Sequence, residues 1–182
     1  MRLLVYSLMF MIGGSVLPII GQTKNPPHIH LEDQGELNEL NYFVGSWVLK
    51  AKVTESISSE AGEYQQSQKV EWMKGEHFLI SHTETKGALG DTFGLAITGF
   101  DPDQKKFLYH SFHSTGSAEH GSGSLAGKTW TWLSEPSKID IHLQRRITLV
   151  ELTADEYSYL LEISPDGKNW TTVMQGKATK EH

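Results

Sequence analysis

Hydrophobic and polar residues alternate with a period of two through most of the chain beyond residue 44. Successive side chains of a β-strand point to opposite faces of a sheet, so this alternation predicts strands that bury one face. Glycine, proline, aspartate and asparagine separate the alternating segments, and these residues favour turns. The predicted strands cover residues 44–55, 63–73, 77–86, 92–100, 106–115, 117–125, 128–134, 139–152, 156–164 and 170–179.

Short strands that follow one another through turns, with no long helical pattern between them, predict an antiparallel meander. We therefore expect an all-β fold, an up-and-down barrel of about eight to ten strands, in a single domain over residues 36–182. Within that domain Leu37, Leu40 and Phe43 recur at helical spacing. This pattern predicts a short amphipathic helix that caps one end of the barrel.

The alternation also predicts which side chains face the core in the last strands. One face carries Ile139, Ile141, Leu143, Ile147 and Leu149, and the same core is faced by Tyr157, Tyr159, Leu161, Ile163, Trp170, Met174, Gly176 and Ala178. Arg145 falls on the apolar face, where an unpaired guanidinium would be costly. We therefore expect Arg145 near a barrel end, where it either stacks on Trp47 or is turned out to solvent by a bulge.

The N-terminal segment has the composition of a secretory signal. A positive charge at Arg2 precedes the apolar residues 3–12, and small Gly21 is a plausible last residue before cleavage. We therefore expect residues 1–21 to be a signal peptide and the protein to be exported, to the periplasm or outside the cell. The alternative is a retained anchor, since residues 3–20 are nearly long enough to span a bilayer.

The segment after the signal is polar and contains a Pro-Pro pair, which predicts a disordered leader over residues 22–35. No later stretch is apolar enough to cross a membrane, so we expect no transmembrane segment in the mature chain. His28 and His30 lie in the leader. Metal sites need several fixed ligands, so the interpretation that these two histidines are solvated is preferred.

The amino-acid composition excludes some kinds of catalytic residue and some classes of binding partner. The chain of 182 residues has no cysteine, which excludes disulfides and thiolate catalysis. A formal net charge of −6 argues against a nucleic-acid partner, because such proteins carry basic patches. The hydrolase and phosphate-binding motifs are absent, and Gly121-Ser-Gly-Ser124 is interpreted as a flexible loop. We expect no cofactor, and the sequence does not indicate an oligomeric state.

Several histidines in the middle strands raise the alternative of a metal-dependent enzyme. His82, His110 and His113 could form such a site at the mouth of the barrel. The two-residue gap between His110 and His113 places their imidazoles on opposite faces of a regular strand, however, and a bulge would be needed to bring them together. We therefore expect no metal site.

Four segments carry a resemblance to a known family. They are Leu-Asn-Tyr-Phe-Val-Gly-Ser-Trp (40–47), Lys-Gly-Glu-His-Phe-Leu-Ile (74–80), Thr-Gly-Phe-Asp-Pro-Asp-Gln-Lys-Lys-Phe (98–107) and Asp-Gly-Lys-Asn-Trp (166–170). Together they resemble the secreted bacterial family called domain of unknown function fifteen-seventy-nine, which is similar in layout to calycin barrels such as lipocalins and fatty-acid-binding proteins. The resemblance runs from Leu37 to Lys180.

The resemblance implies structural roles more clearly than an activity. Gly45 and Trp47 match the Gly-x-Trp that opens the first strand of lipocalins. In those proteins an arginine of a late strand packs over the tryptophan, and the resemblance implies this role for Arg145. The family has no established reaction, so no catalytic residue is implied.

We predict a binding protein for a small apolar or aromatic ligand, without catalysis. A barrel wider than eight strands leaves room inside, and inward aromatic residues would line that room. The candidate ligand-binding residues are His82, His110, Phe112, Trp130, Trp132, Tyr157 and Tyr159. Two alternatives remain: the histidine-based enzyme, and an interaction module in which an exposed aromatic stripe docks another protein of the cell envelope.

Overall fold

The computed structural model describes residues 34–55, 60–136 and 143–182. Within these residues, ten antiparallel strands form a closed barrel in which sequential neighbours pair and the last strand pairs with the first. The all-β class and the up-and-down barrel are thus confirmed. The strands are β1 Gly45–Val53, β2 Gly62–Trp72, β3 Phe78–Gly87, β4 Thr92–Asp101, β5 Lys106–His113, β6 Ala118–Ala126, β7 Thr129–Ser134, β8 Gln144–Thr153, β9 Glu156–Ser164 and β10 Thr171–Glu181.

Some sequence predictions fall outside the described residues. These are the signal peptide (residues 1–21), the leader as far as residue 33 with its two histidines, and the first residues of the predicted strand 139–152. The domain boundaries and export therefore stay predictions. No helix among the described residues is both long and apolar enough to cross a membrane.

A short helical segment precedes the barrel and caps one end of it, as the spacing predicts. Helix α1 (Gln34–Glu39) runs directly into a 3₁₀ turn (Leu40–Phe43). Leu40 is completely buried, and the Phe43 ring meets the buried Trp130 with centroids 5.1 Å apart. Burying these apolar side chains against the barrel end is what holds so short a helix in place, because isolated helices of this length are unstable in water.

Polar contacts fix the orientation of this cap. The Tyr42 hydroxyl donates to the carbonyl oxygens of Thr153 and Glu156, at 3.0 and 2.9 Å. The Trp72 indole N–H donates to Asn41 Oδ1 at 2.8 Å. These bonds join the turn to three different strands of the barrel, so the cap and the barrel wall form one unit.

Trp47 lies at the centre of the capped end. It is 1% exposed, and its indole N–H donates to the Phe43 carbonyl at 2.8 Å. The cation above its ring is Lys180 Nζ, 5.2 Å from the ring centroid. Lys180 reaches the ring by lying over Gly45, where an added Cβ would come within 2.7 Å of the lysine stem and where φ is +125°. This packing is what a structural role for Gly45 and Trp47 requires, and that role stays a prediction.

The prediction that Arg145 stacks on Trp47 is wrong. Arg145 opens β8 at the opposite end of the barrel, and its guanidinium binds the Glu119 carboxylate. The alternative, a bulge that turns the side chain into solvent, does not describe it either. Lys180 is paired directly with Trp47 across β1 and β10, so it occupies the position that the resemblance implied for an arginine.

The prediction that Trp170 faces the core is also wrong. Met174, Gly176 and Ala178 face the core as predicted, but Trp170 lies against the guanidinium of Arg146, 4.2 Å from ring centroid to carbon, on the outer side. The register between β10 and β9 shifts between Thr172 and Met174. One extra residue in a strand reverses the faces of everything before it, which explains the error.

The segment Gly121-Ser-Gly-Ser124 is a strand rather than the predicted loop. It forms the middle of β6, and its two glycines face the interior. A Cβ on Gly123 would lie 2.3 Å from the Trp132 ring, and one on Gly121 would lie 2.8 Å from the Tyr109 ring. Gly123 is therefore required because the Trp132 ring lies against the sheet there, and Gly121 because the backbone of Leu133 and Ser134 approaches it closely as well.

Candidate functional site

The interior of the barrel changes character along its axis. Under the cap it is filled by apolar side chains, with the fully buried Trp47 and Trp130 at its centre. Toward the other end, which we call the distal half, polar side chains join the apolar ones at the inward positions. Those facing inward by strand register are Tyr64, Gln66, Thr83, Thr85, Tyr109, Ser111, His113, Glu119, Arg145 and Tyr159.

Three of these residues, on β5, β6 and β8, form a connected polar group. The Tyr109 hydroxyl donates to Glu119 Oε1 at 2.7 Å, and an Arg145 guanidinium N–H donates to Glu119 Oε2 at 2.5 Å. The Glu119 side chain is 17% exposed and that of Arg145 is 50% exposed. The carboxylate is thus held between two donors, while the guanidinium still reaches solvent.

Tyrosines surround this group. Burial raises the pKa of the Tyr109 phenol, and the neighbouring Glu119 carboxylate raises the same pKa further. Burial likewise raises the pKa of Tyr159, and it raises the pKa of Tyr64 to about 12. These hydroxyls are neutral at physiological pH, so they act as hydrogen-bond donors and acceptors rather than as charges.

An aromatic floor separates the polar walls from the buried core. The Trp132 ring stacks parallel to Trp130 with centroids 6.0 Å apart, and it meets the edge of Tyr109 at 5.8 Å. Trp130 beneath it is fully buried, whereas Trp132 is only partly buried, as are its inward neighbours Ile147 and Leu161. Trp132 is therefore the partly exposed end of this aromatic stack, on the side of the distal half.

The predicted site residues divide between the two sides of the wall. Four face inward: Trp130 and Tyr157 are buried beneath the cap, while Trp132 and Tyr159 border the distal half. The other three, His82, His110 and Phe112, lie on the outer face, because their chain neighbours face inward. The structure therefore does not bring the seven residues together.

The histidine site proposed as an alternative is not assembled. His113 faces inward, but His82 and His110 point outward from β3 and β5. Across the described part of the chain, no group of three or more His, Cys, Asp or Glu side chains is close enough to hold a metal ion. This arrangement does not support the histidine-based enzyme.

The outer wall of β3 to β5 is unusually apolar. Phe93 is 63% exposed, Phe112 is 50% exposed and Phe78 is 47% exposed. Leu95 and Ile97 lie between them on the same outer face of β4. The aromatic residues exposed here are therefore Phe78, Phe93 and Phe112, whereas Trp130 and Trp132 face inward, as predicted.

The sequence interpretation missed Ser111 and Glu119 as interior residues and left Tyr109 out of the candidate site. Strand alternation alone places all three on one side, opposite His110 and Phe112. The signal that identifies the inward side is the pair of glycines that follows Glu119, because small residues facing large rings mark a packed interior. That signal was overlooked because the glycines were interpreted as a loop.

The fold and this interior define the class: a capped, closed antiparallel barrel of the calycin type with a partly exposed interior at one end. The sequence comparison then identifies the family. The chain belongs to the family described as "Protein of unknown function (DUF1579)", whose model matches residues 32–180. No curated protein matches the chain.

Solved structures with the same fold are distant in sequence. Rv2717c from M. tuberculosis is 15% identical, with a TM-score of 0.56 over 81% of this chain and 98% of that one. The S-type phycobiliprotein lyase CPES from Guillardia theta is 11% identical, with a TM-score of 0.52 over 80% and 92%. A de novo designed fluorescence-activating β-barrel is 11% identical, with a TM-score of 0.44 over 79% and 98%. For the first two of these structures, the likeness shows the fold alone.

Proposed function

We propose that this protein binds a small molecule, without catalysis, in the distal half of its barrel. The apolar or aromatic part of the ligand packs on the floor formed by Trp132, and its polar part meets the group of Tyr109, Glu119 and Arg145. One observation carries the proposal. Several inward side chains of the distal half, among them Ser111, Glu119 and Tyr159, remain partly exposed inside a closed barrel. At the capped end, Leu40, Trp47 and Trp130 are fully buried.

Strand number and side-chain size both support room for a ligand. Eight strands enclose an interior just wide enough for side chains or one small ligand, so ten strands enclose more. Inward positions on β4 and β5 carry small residues, Gly94, Ala96 and Ser111. An interior lined this way gives the ligand space beside one wall of the barrel.

The side chains that line the distal half have the chemistry of a small-molecule site. Small-molecule sites are mostly apolar, with a few convergent polar groups that orient the ligand. Trp132 and its neighbours supply the apolar surface. The carboxylate, guanidinium and phenol of the polar group supply donors and acceptors within one hydrogen-bonded unit, so they are already ordered before the ligand arrives.

The first test asks whether the protein carries a ligand. Native mass spectrometry of the full-length protein from its host should show a co-purifying small molecule. A variant that fills the distal half, Ser111→Trp, should lose that mass. Ser67→Trp places the same side chain on the outer, exposed face of β2 and should keep it.

A dye distinguishes the interior from the apolar outer wall. Anilinonaphthalene sulfonate should fluoresce with the wild-type protein, lose that signal with Ser111→Trp and keep it with Phe112→Ser. The reverse pattern would contradict the proposal. It would place binding on the outer wall and favour the interaction module instead.

We also propose that the protein acts after export, as the N-terminal sequence predicts. Mass spectrometry of the mature protein should find an N-terminus near Gln22. A mature chain that begins at Met1 would support the retained anchor.

A further inference from the structure

A pair of histidines stands on the outer wall, separate from the distal interior. His110 of β5 and His120 of β6 are direct cross-strand partners. Their imidazole rings are stacked, with centroids 5.5 Å apart and planes inclined by 12°. Both residues are exposed to solvent. The two imidazole rings therefore lie face to face on an accessible surface, on side chains that leave adjacent strands at the same level.

The ladder of hydrogen bonds explains why these side chains approach so closely. The His113 N–H donates to the Ser117 carbonyl at 2.9 Å, which makes residues 113 and 117 a hydrogen-bonded pair. Antiparallel partners alternate between hydrogen-bonded and non-hydrogen-bonded pairs, so His110 and His120, three positions along, form a non-hydrogen-bonded pair. Such partners have Cα atoms about 4.5 Å apart, rather than about 5.5 Å, and their side chains lie closest.

We propose that His110 and His120 together chelate a divalent transition-metal ion, with Cu²⁺ bound most tightly. Neutral imidazole is a preferred ligand of Cu²⁺, Ni²⁺ and Zn²⁺, and affinity among these ions is highest for Cu²⁺. Two imidazoles on adjacent strands bind as a chelate, because the first metal–nitrogen bond makes the second one intramolecular. The remaining coordination positions are taken by water.

The overall charge of the chain favours a cation, because its formal net charge is −6. The Glu135 N–H donates to the His120 carbonyl, so residue 135 is the neighbour of His120 on the side away from His110. The described residues hold no cluster of three metal-binding side chains, so the site is a two-histidine chelate.

The experiment is a Cu²⁺ titration of the full-length chain followed by NMR and calorimetry. His28 and His30 are replaced by alanine throughout, so that they do not compete for metal. Paramagnetic Cu²⁺ below one equivalent should first broaden the amide resonances around residues 110 and 120. His120→Ala and His110→Ala should each abolish this broadening and weaken the affinity by about tenfold or more, because the chelate is reduced to a single ligand.

His82→Ala is the matched control. His82 lies on the same outer wall but is paired with Leu95 rather than with another histidine. Its removal should leave both the broadening pattern and the affinity unchanged. The proposal is overturned if broadening centres elsewhere, or if His120→Ala binds Cu²⁺ as tightly as the chain that keeps the pair. Circular dichroism confirms that each variant is folded.

Discussion

Replacing Trp47 should lower stability strongly while leaving ligand preference unchanged. Its side chain is 1% exposed and packs against Tyr157 with ring centroids 4.9 Å apart and against Tyr42 at 5.6 Å. It also receives the Lys180 cation and donates one hydrogen bond to the Phe43 carbonyl. All of these contacts lie at the capped end, away from the distal half.

The contacts of Trp47 determine how much unfolding free energy its replacement should cost. Truncating a fully buried tryptophan to alanine costs about 3–5 kcal/mol, because packing is lost and a cavity remains. Trp47→Phe keeps most of the packing but removes the N–H donor, and a lost hydrogen bond costs about 1 kcal/mol with a further contribution from the smaller ring. Domains of this size have total stabilities of about 5–15 kcal/mol, so Trp47→Ala approaches the limit of folding.

Urea unfolding followed by far-ultraviolet circular dichroism measures both changes. Trp132→Ala is the matched control, because this tryptophan is only partly buried. It should cost less stability than Trp47→Ala but should weaken binding of the aromatic dye. Equal loss of stability in the two alanine variants, or normal dye binding by folded Trp132→Ala, would refute the division between a structural capped end and a binding distal half.

Three further predictions follow from particular contacts. Lys180→Met should shift the indole N–H resonance of Trp47 and cost about 0.5–1 kcal/mol, because it removes the cation but keeps the stem. Gly123→Ala should lower stability by about 1–3 kcal/mol, because its Cβ must displace the Trp132 ring. Since burial raises the pKa of Tyr64 to about 12, the folded chain keeps a proton that the unfolded chain releases above pH ~10. Stability should therefore be intact below about pH 10 and fall as the pH rises toward 12, with tyrosinate absorbance as the measurement.

The first two of these predictions have a control variant, and the third has an outcome that would contradict it. Arg145→Met should leave the Trp47 resonance in place, since that guanidinium binds Glu119. Gly35→Ala should be nearly neutral, because no atom lies within 4 Å of the added Cβ. Tyrosinate absorbance that rises in the native protein near pH 10 would contradict the burial of the phenols.

The barrel itself could be predicted from the sequence because its physical signal is local. Period-two alternation and turn residues recur along the chain, and the observed strands differ from the predicted ones mainly by a residue or two at their ends. The helical cap could be predicted for the same reason, from the spacing of Leu37, Leu40 and Phe43.

The inward side of the middle strands could not be predicted as reliably. On β4, Leu95 and Ile97 on the outer face are more apolar than the inward Ala96 and Thr98. Hydrophobicity alone therefore indicates the wrong side on β4. On the next strand, His110 and Phe112 were wrongly included among the candidate ligand-binding residues. Knowledge of which residues pair across strands is needed to decide which side of a strand faces inward. A single sequence does not provide this knowledge.

The partner of Trp47 was missed for a simpler reason. The last strand was predicted to end at Thr179, whereas it continues to Glu181 and places Lys180 opposite Trp47. Element boundaries are the least certain part of a sequence-based prediction. Because the predicted strand ended two residues too early, it left out Lys180, whose cation lies over the Trp47 ring.

The five tryptophans provide the most direct test of a ligand site in the distal half. Trp132 forms its floor, Trp47 and Trp130 are buried under the cap, and Trp72 and Trp170 are held by contacts at the cap and on the outer side. When anilinonaphthalene sulfonate is added to the full-length protein, the indole N–H resonance of Trp132 should shift most among the five. A larger shift at Trp170, or saturable dye binding with no shift at Trp132, would contradict the account.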